Sequence, residues 1–185
     1  MLPGLSLARL RLAGCVVVFL GIGAVGAETP PIIEGRTIRI MDGDTIRVLH
    51  SLGQVKVDLA YVDAPERRQS FGDAARGALD DLVAGKRLLV VPVGESDIGV
   101  IQAEVYEGDV FVNKALIAQG YAWVRPEDRA TVEGNGAEDE ARIASLRAEL
   151  EQAQREAKSA RRGIWRFPGA QPPWEWRASQ GEQRE

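Results

Sequence analysis

Two acidic pairs stand at strand-like boundaries of this chain. Asp42 and Asp44 follow one alternating apolar run in Asp-Gly-Asp-Thr, and Asp63 and Glu66 follow another in Asp-Ala-Pro-Glu. Carboxylates gathered at strand ends make a seat for a hard cation, and oxygen donors of this kind suit Ca²⁺ or Mg²⁺ rather than zinc or copper. Each tetrapeptide also has a plainer reading. Asp-Gly between two apolar runs is a hairpin signal. Asp-Ala-Pro-Glu can end a strand and open a helix, with Pro at a favoured early position. The two together, with strands between them, are more specific than either alone.

Period-two alternation supplies the strands that must position these groups. Ile38 and Ile40 alternate with Thr37 and Arg39, and Ile46 and Val48 with Thr45 and Arg47. Val55, Val57, Leu59 and Tyr61 alternate with Lys56, Asp58 and Ala60. Residues 32–62 therefore read as three half-buried strands, apolar set inward, with Lys56 and Asp58 sharing the outer face. Further strands are expected at Arg87–Val93, Val100–Tyr106 and Val110–Val112, with a turn at Glu107-Gly108-Asp109. Strands, a helix, then strands again are compatible with a five-stranded Greek-key barrel. Periodicity alone leaves a small sandwich open.

Three helices are expected. The first carries a capping box in Ser70 and Asp73, a stripe of Ala75, Leu79 and Leu82, and a stop at Gly85. A short second helix runs from about Asn113 to Gln119 and ends at Gly120. The third spans roughly Ala137 to Arg162 after the loop Glu133-Gly134-Asn135-Gly136. Acids crowd its start and Lys158, Arg161 and Arg162 its end, as the helix dipole favours. Its thin stripe of Ile143, Leu146, Leu150, Ala153 and Ala157 suits docking on a barrel better than a coiled coil. Ile164 and Trp165 should pack back onto the domain. The tail from Pro168, with Pro172-Pro173-Trp174-Glu175-Trp176, reads as an extended strap, disordered over residues 178–185.

Composition sets broader bounds. The chain has 185 residues, one cysteine and a net charge of −4, ordinary for a single globular domain. Residues 1–27 read as an export signal: Arg9 and Arg11, an apolar stretch from Val16 to Val25 too short to span a bilayer, and small residues at Val25-Gly26-Ala27. Cleavage after Ala27 leaves no cysteine and no membrane span, places the mature chain in the periplasm or outside the cell, and removes two arginines, so −4 becomes −6. An acidic balance counts against tight, non-specific polyanion binding. Gly21, Gly23 and Gly26 spell a dinucleotide fingerprint without its strand–turn–helix setting. Cys15 precedes the apolar run, where a lipoprotein cysteine should follow it. A lone His50 after a strand reads as a surface residue, and with the single cysteine it offers no serine–histidine or cysteine–histidine pairing.

The stretch from Arg36 to Glu66 resembles the thermonucleases, the staphylococcal-nuclease-like domains. Asp-Gly-Asp-Thr and Val-Asp-Ala-Pro-Glu match the family's two acidic motifs, and the likeness continues through Val112-Asn113-Lys114-Ala115-Leu116 and Arg161-Arg162-Gly163-Ile164-Trp165, covering about residues 34–177 of a domain expected over residues 28–177. It implies an OB-fold barrel with three helices and metal-dependent hydrolysis of phosphodiesters in DNA or RNA. Asp44 and Asp63 would be metal ligands for Ca²⁺, with Mg²⁺ as the alternative. The Ala64 carbonyl would lie beside them, Asp42 would bind directly or support the ligands, and Glu66 would be the general base.

The resemblance also implies two arginines that this chain lacks. One belongs five residues before Asp63, where Asp58 stands; the other follows a glycine before a later strand, where Val100 stands. No Lys or Arg occurs from Leu88 through Val112. Lys56, about 7 Å along the strand from Asp58, and Arg67 and Arg68 after Glu66 are the neighbours able to replace them; each also reads as plain surface charge. Two readings follow: an exported, weakened nuclease, or a degenerate nuclease fold kept as a metal-binding or interaction module.

Overall fold

The computed structural model describes residues 31–126 and 136–182. The expected export signal, residues 1–27, and the loop residues 133–135 lie outside them. Eight strands and four helices follow in order: β1 Ile33–Ile40, β2 Thr45–His50, β3 Gly53–Leu59, β4 Val62–Asp63, α1 Gly72–Val83, β5 Arg87–Asp97, β6 Val100–Glu107, β7 Val110–Phe111, α2 Val112–Gln119, β8 Trp123–Val124, α3 Ala137–Ser159 and α4 Pro173–Glu182. A 3₁₀ turn, Gly163–Arg166, separates the last two helices.

The sheet runs β3-β2-β1-β5-β6 and closes on itself because β3 also pairs with β6, in parallel. The result is a five-stranded mixed barrel, the OB-fold architecture, with β7 added at one end of β6. Closure removes the sheet edges that a free five-stranded sheet would expose. Ile46, Val48, Val57, Leu59, Val90, Ala103 and Val105 fill the inside, and Ala75, Leu79 and Val83 of α1 with Leu116 and Ile117 of α2 join the same core. The apolar alternation of β2 and β3 faces inward as the sequence implies, with Lys56 and Asp58 on the other face.

Asn113 fastens the closure. It is fully buried and donates from Nδ2 to the carbonyls of Ala60 and Ala103, 2.9 and 3.1 Å away. Its Oδ1 accepts from the Val105 amide at 3.0 Å. The Ala103 carbonyl also accepts from the Ala60 amide at 2.8 Å, so Asn113 ties three buried backbone groups of the seam together, and one left unpaired there would cost about 1–3 kcal/mol.

Five local expectations are corrected. In β1 the register shifts between Thr37 and Arg39, so Thr37 turns inward and Ile38 outward, 42% exposed. A bulge reverses the side-chain phase, which period-two counting cannot foresee. Tyr61 does not continue β3: it takes a left-handed conformation, φ 66°, and the chain restarts as β4, paired with β8. The Ser70–Asp73 capping box does not form, since α1 begins after Phe71, itself left-handed at φ 70°, with no side-chain cap. The long helix ends at Ser159, because Arg161 and Gly163 both have positive φ. Lastly, the expected strap is a fourth helix, and residues 178–182 continue it. Pro173 stands at its first position, where a missing N–H costs nothing. Ile164 is fully buried and Trp165 meets Trp123 edge-on at 5.2 Å, as anticipated. Among the described residues no helix is long and apolar enough to cross a membrane.

Candidate active site

Both acidic motifs arrive at one end of the barrel. The Met41–Asp44 turn joins β1 to β2, closed by the Met41 amide donating to the Thr45 carbonyl at 2.8 Å. Gly43 is required there: a Cβ on it would lie 2.7 Å from the Ala64 Cβ and 2.8 Å from the Ala75 Cβ. This close approach brings the two motifs together. The Ala64 amide donates to Asp44 Oδ2 at 2.7 Å, across twenty residues of sequence. The Leu59 amide donates to the Asp44 carbonyl at 2.9 Å. Asp63 reaches the same place because the left-handed Tyr61 redirects the chain out of β3, and it is 3% exposed.

Glu66 is fixed by its backbone. Its amide donates to Gln69 Oε1 at 3.1 Å and its carbonyl accepts from the Gln69 amide at 2.8 Å. Gly72 packs against that carbonyl so closely that a Cβ would collide with it. Gln69 Nε2 in turn donates to the Gln171 carbonyl at 2.6 Å, tying the motif to the segment that leads into α4.

A cavity of about 190 Å³ gathers Asp42, Asp44, Thr45, Asp58, Asp63, Ala64, Pro65 and Glu66 with two guanidinium groups, Arg125 and Arg177. All the carboxylates singled out from the sequence therefore meet. Asp58 lines the cavity, bringing a carboxylate where the resemblance implies an arginine, and Val100, 8% exposed in β6 opposite Lys56, does not line it. Nor do Lys56, Arg67 and Arg68, the expected substitutes.

The cations come from elsewhere. Arg125, just after β8, has Nη2 3.4 Å from Asp58 Oδ2, with both side chains largely buried. Its carbonyl accepts from Arg147 Nη2 of α3 at 2.8 Å, which holds the backbone in place. Arg177, on α4, reaches back across more than a hundred residues. Its Nη1 donates to Asp63 Oδ1 at 3.2 Å and to Glu66 Oε1 at 2.7 Å, and its Nη2 donates to Asp63 Oδ2 at 2.7 Å. These bonds, that to Asp63 foremost, hold the guanidinium more firmly protonated than usual despite its partial burial. Neither arginine was legible as a site residue. Arg125 carries no motif, and the one signal for Arg177 is a Pro-Pro helix start four residues ahead of it.

Does this donor set suit a hard cation? Its charge does. Burial, then the neighbouring Asp58, Asp42 and Asp63 carboxylates, push the Asp44 carboxyl well above the usual carboxylate range. Such a cluster is relieved by positive charge. Its geometry is only partly prepared: among the described residues no three acidic, histidine or cysteine side chains form a ready cage. Asp63 already gives both oxygens to Arg177. A carboxylate has about four lone-pair sites, however, so these bonds leave room for another partner. Ala64 presents its amide N–H to Asp44, and it lines the cavity beside the carboxylates. Burial also raises Asp58, more than the facing Arg125 lowers it.

Comparison with known proteins gives the setting. Residues 56–167 match the family model described as staphylococcal nuclease homologue. An uncharacterized endonuclease of Escherichia coli is 33% identical over 78% of this chain and 85% of its own. Protein ParB of Escherichia coli is 33% identical over 97% of each chain, and a micrococcal nuclease of Shigella flexneri is 31% identical over 93% of this chain and 94% of its own.

Proposed function

Because this chain belongs to the staphylococcal nuclease homologue family, whose membership supports nucleic acid hydrolysis, we propose that it cleaves phosphodiester bonds at the acidic cavity. The carrying observation is convergence: Asp44, Asp63 and Glu66, from both motifs, line one cavity that also holds two guanidinium groups.

Asp44 and Asp63 would hold Ca²⁺ or Mg²⁺, with Asp42 beside them. A bound divalent cation neutralises the phosphate oxygens and orients the group. Glu66 takes the proton of the attacking water. Arg177 occupies its Oε1, which leaves Oε2 to meet the water. As the water oxygen bonds to phosphorus, the opposite phosphorus–oxygen bond breaks and its electron pair leaves with the sugar oxygen. The negative charge that grows on the phosphoryl oxygens needs cationic partners. Substitution of the family arginines by Asp58 and Val100 supports a slower reaction than the fold could deliver. The same substitutions favour the second reading, a degenerate site that binds without cutting.

Export follows the same logic: residues 1–27 would be removed and the mature chain would act in the periplasm or outside the cell. The deciding experiment incubates the mature chain with DNA and with RNA, with Ca²⁺ and with a chelator. Cleavage that a chelator stops supports the nuclease. Absence of cleavage, with Ca²⁺ still bound, supports the binding module.

A further inference from the structure

Arg177 enters the site from a helix that the acidic motifs do not announce. Its guanidinium has five N–H groups, and Asp63 and Glu66 take three of them, two on Nη1 and one on Nη2. The two that remain, Nε–H and the second Nη2–H, lie along one edge of the planar group. That edge matches two oxygens of a phosphate. The side chain is 46% exposed, so a strand in solution can reach it. Arg125 differs: it is 13% exposed and committed to Asp58. No other Lys or Arg lines the cavity among the described residues.

Resting on the nuclease reading above, we propose that Arg177 binds a phosphate of the nucleic acid strand and supplies the positive charge that Asp58 and Val100 no longer provide. Asp63 and Glu66 act on it as positioning groups. They fix the guanidinium plane end-on and leave its open edge toward the substrate. Placing the cation on α4 solves an electrostatic problem. A phosphodiester approaching five carboxylates is repelled, unless a fixed cation stands at their rim. Arg125 neutralises Asp58; Arg177 is left to hold the anion. The α4 helix is then part of the active site rather than an appendage. The rival reading has Arg177 as a plug that merely occupies the carboxylates and must leave before anything binds.

The test uses the whole mature chain and a fluorescently labelled, cleavage-resistant phosphorothioate DNA strand in Ca²⁺. Affinity is read by anisotropy across a salt series for the wild type, Arg177→Ala, Arg177→Lys and, as a surface control, Arg155→Ala. Arg177→Ala should weaken binding about tenfold or more, the scale of a hydrogen-bonded charge. It should also lower the salt slope by about 0.7, the value for one phosphate on a single strand. Arg177→Lys keeps the charge but not the fork, so it should retain the slope and recover part of the affinity. Arg155→Ala should change neither. An unchanged slope in Arg177→Ala, or tighter binding as a plug demands, overturns the proposal. Cleavage of ordinary DNA and RNA by the wild type is scored separately. Cleavage with an unmoved slope defeats the Arg177 role alone, whereas a lowered slope without cleavage defeats the nuclease reading and leaves the Arg177 role standing.

Discussion

The Arg125 guanidinium lies 3.4 Å from the Asp58 carboxylate, at the strand position where the family resemblance places an arginine. Asp58 comes from β3 and Arg125 from the segment after β8, sixty-seven residues on. The Asp58 carboxylate is therefore answered by a cation from across the fold, and the two side chains have to be treated as one unit.

Breaking that unit should cost more than either residue's surface exposure implies. Asp58→Ala strands a largely buried guanidinium, and Arg125→Ala strands a carboxylate among other carboxylates. Thermal or denaturant unfolding of both single variants and the double variant should give a coupling of about 1–3 kcal/mol. Additive losses would mean that the pair is incidental. For the same reason Asp58→Arg alone should not restore a phosphate clamp, because it sets two guanidinium groups against each other.

Gly43 is the hinge pin between the two acidic motifs. In Gly43→Ala the new methyl group meets both Ala64 and Ala75, whose Cβ atoms lie 2.7 and 2.8 Å from it. Overpacking of this kind costs about 1–3 kcal/mol. It should also push Asp44 away from the Ala64 amide, so activity should fall even where the variant remains folded. A variant as stable and active as the wild type would show that the approach is slack.

Alkali should destabilise the fold through two tyrosines. Burial, then the charge of Glu104, raises Tyr61 and Tyr106 to about 12, above the ordinary value of 10.0. Between these values the unfolded chain has lost protons that the folded chain still holds. Stability is therefore intact below pH 10 and falls as pH rises toward 12, by up to about 1.4 kcal/mol per pH unit for the buried Tyr61 and by less for the more exposed Tyr106, which solvent screens. Absorbance titration should show two late phenols in the folded state, one of them missing in Tyr61→Phe. Ordinary titration near 10 by all tyrosines would refute the buried Glu104 environment.

Cation binding has its own signature in stability. A ligand that binds only the folded state raises the melting temperature. Ca²⁺ should raise it for the wild type, and Asp44→Ala should remove most of the rise. Equal responses in the two proteins would place the cation elsewhere.

Much of this was legible locally. Alternation located the strands of the barrel, and the acidic tetrapeptides fell at strand ends, where their separation in sequence matched their meeting in space. Hidden features were those with no local pattern. The bulge between Thr37 and Arg39 and the left-handed Tyr61 alter phase and direction without a glycine to mark them. The cations were hidden more deeply. Arg125 and Arg177 join the site only because β8 pairs with β4 and α4 folds back over Glu66. Positions counted from the acidic motifs lead instead to Lys56, Arg67 and Arg68, which are near in sequence and outside the cavity. Pro172-Pro173 suits an extended segment as well as a helix start, and only the packing of the tail over Glu66 separates the two.

The most direct measurement compares the wild type with Glu66→Gln in single-turnover cleavage of DNA and RNA in Ca²⁺, with melting curves confirming that both are folded. Glu66 as the general base predicts measurable wild-type cleavage and a loss of about 10²–10⁴-fold in Glu66→Gln. Equal rates in the two proteins, or a folded wild type that binds Ca²⁺ and cleaves neither nucleic acid, would contradict it.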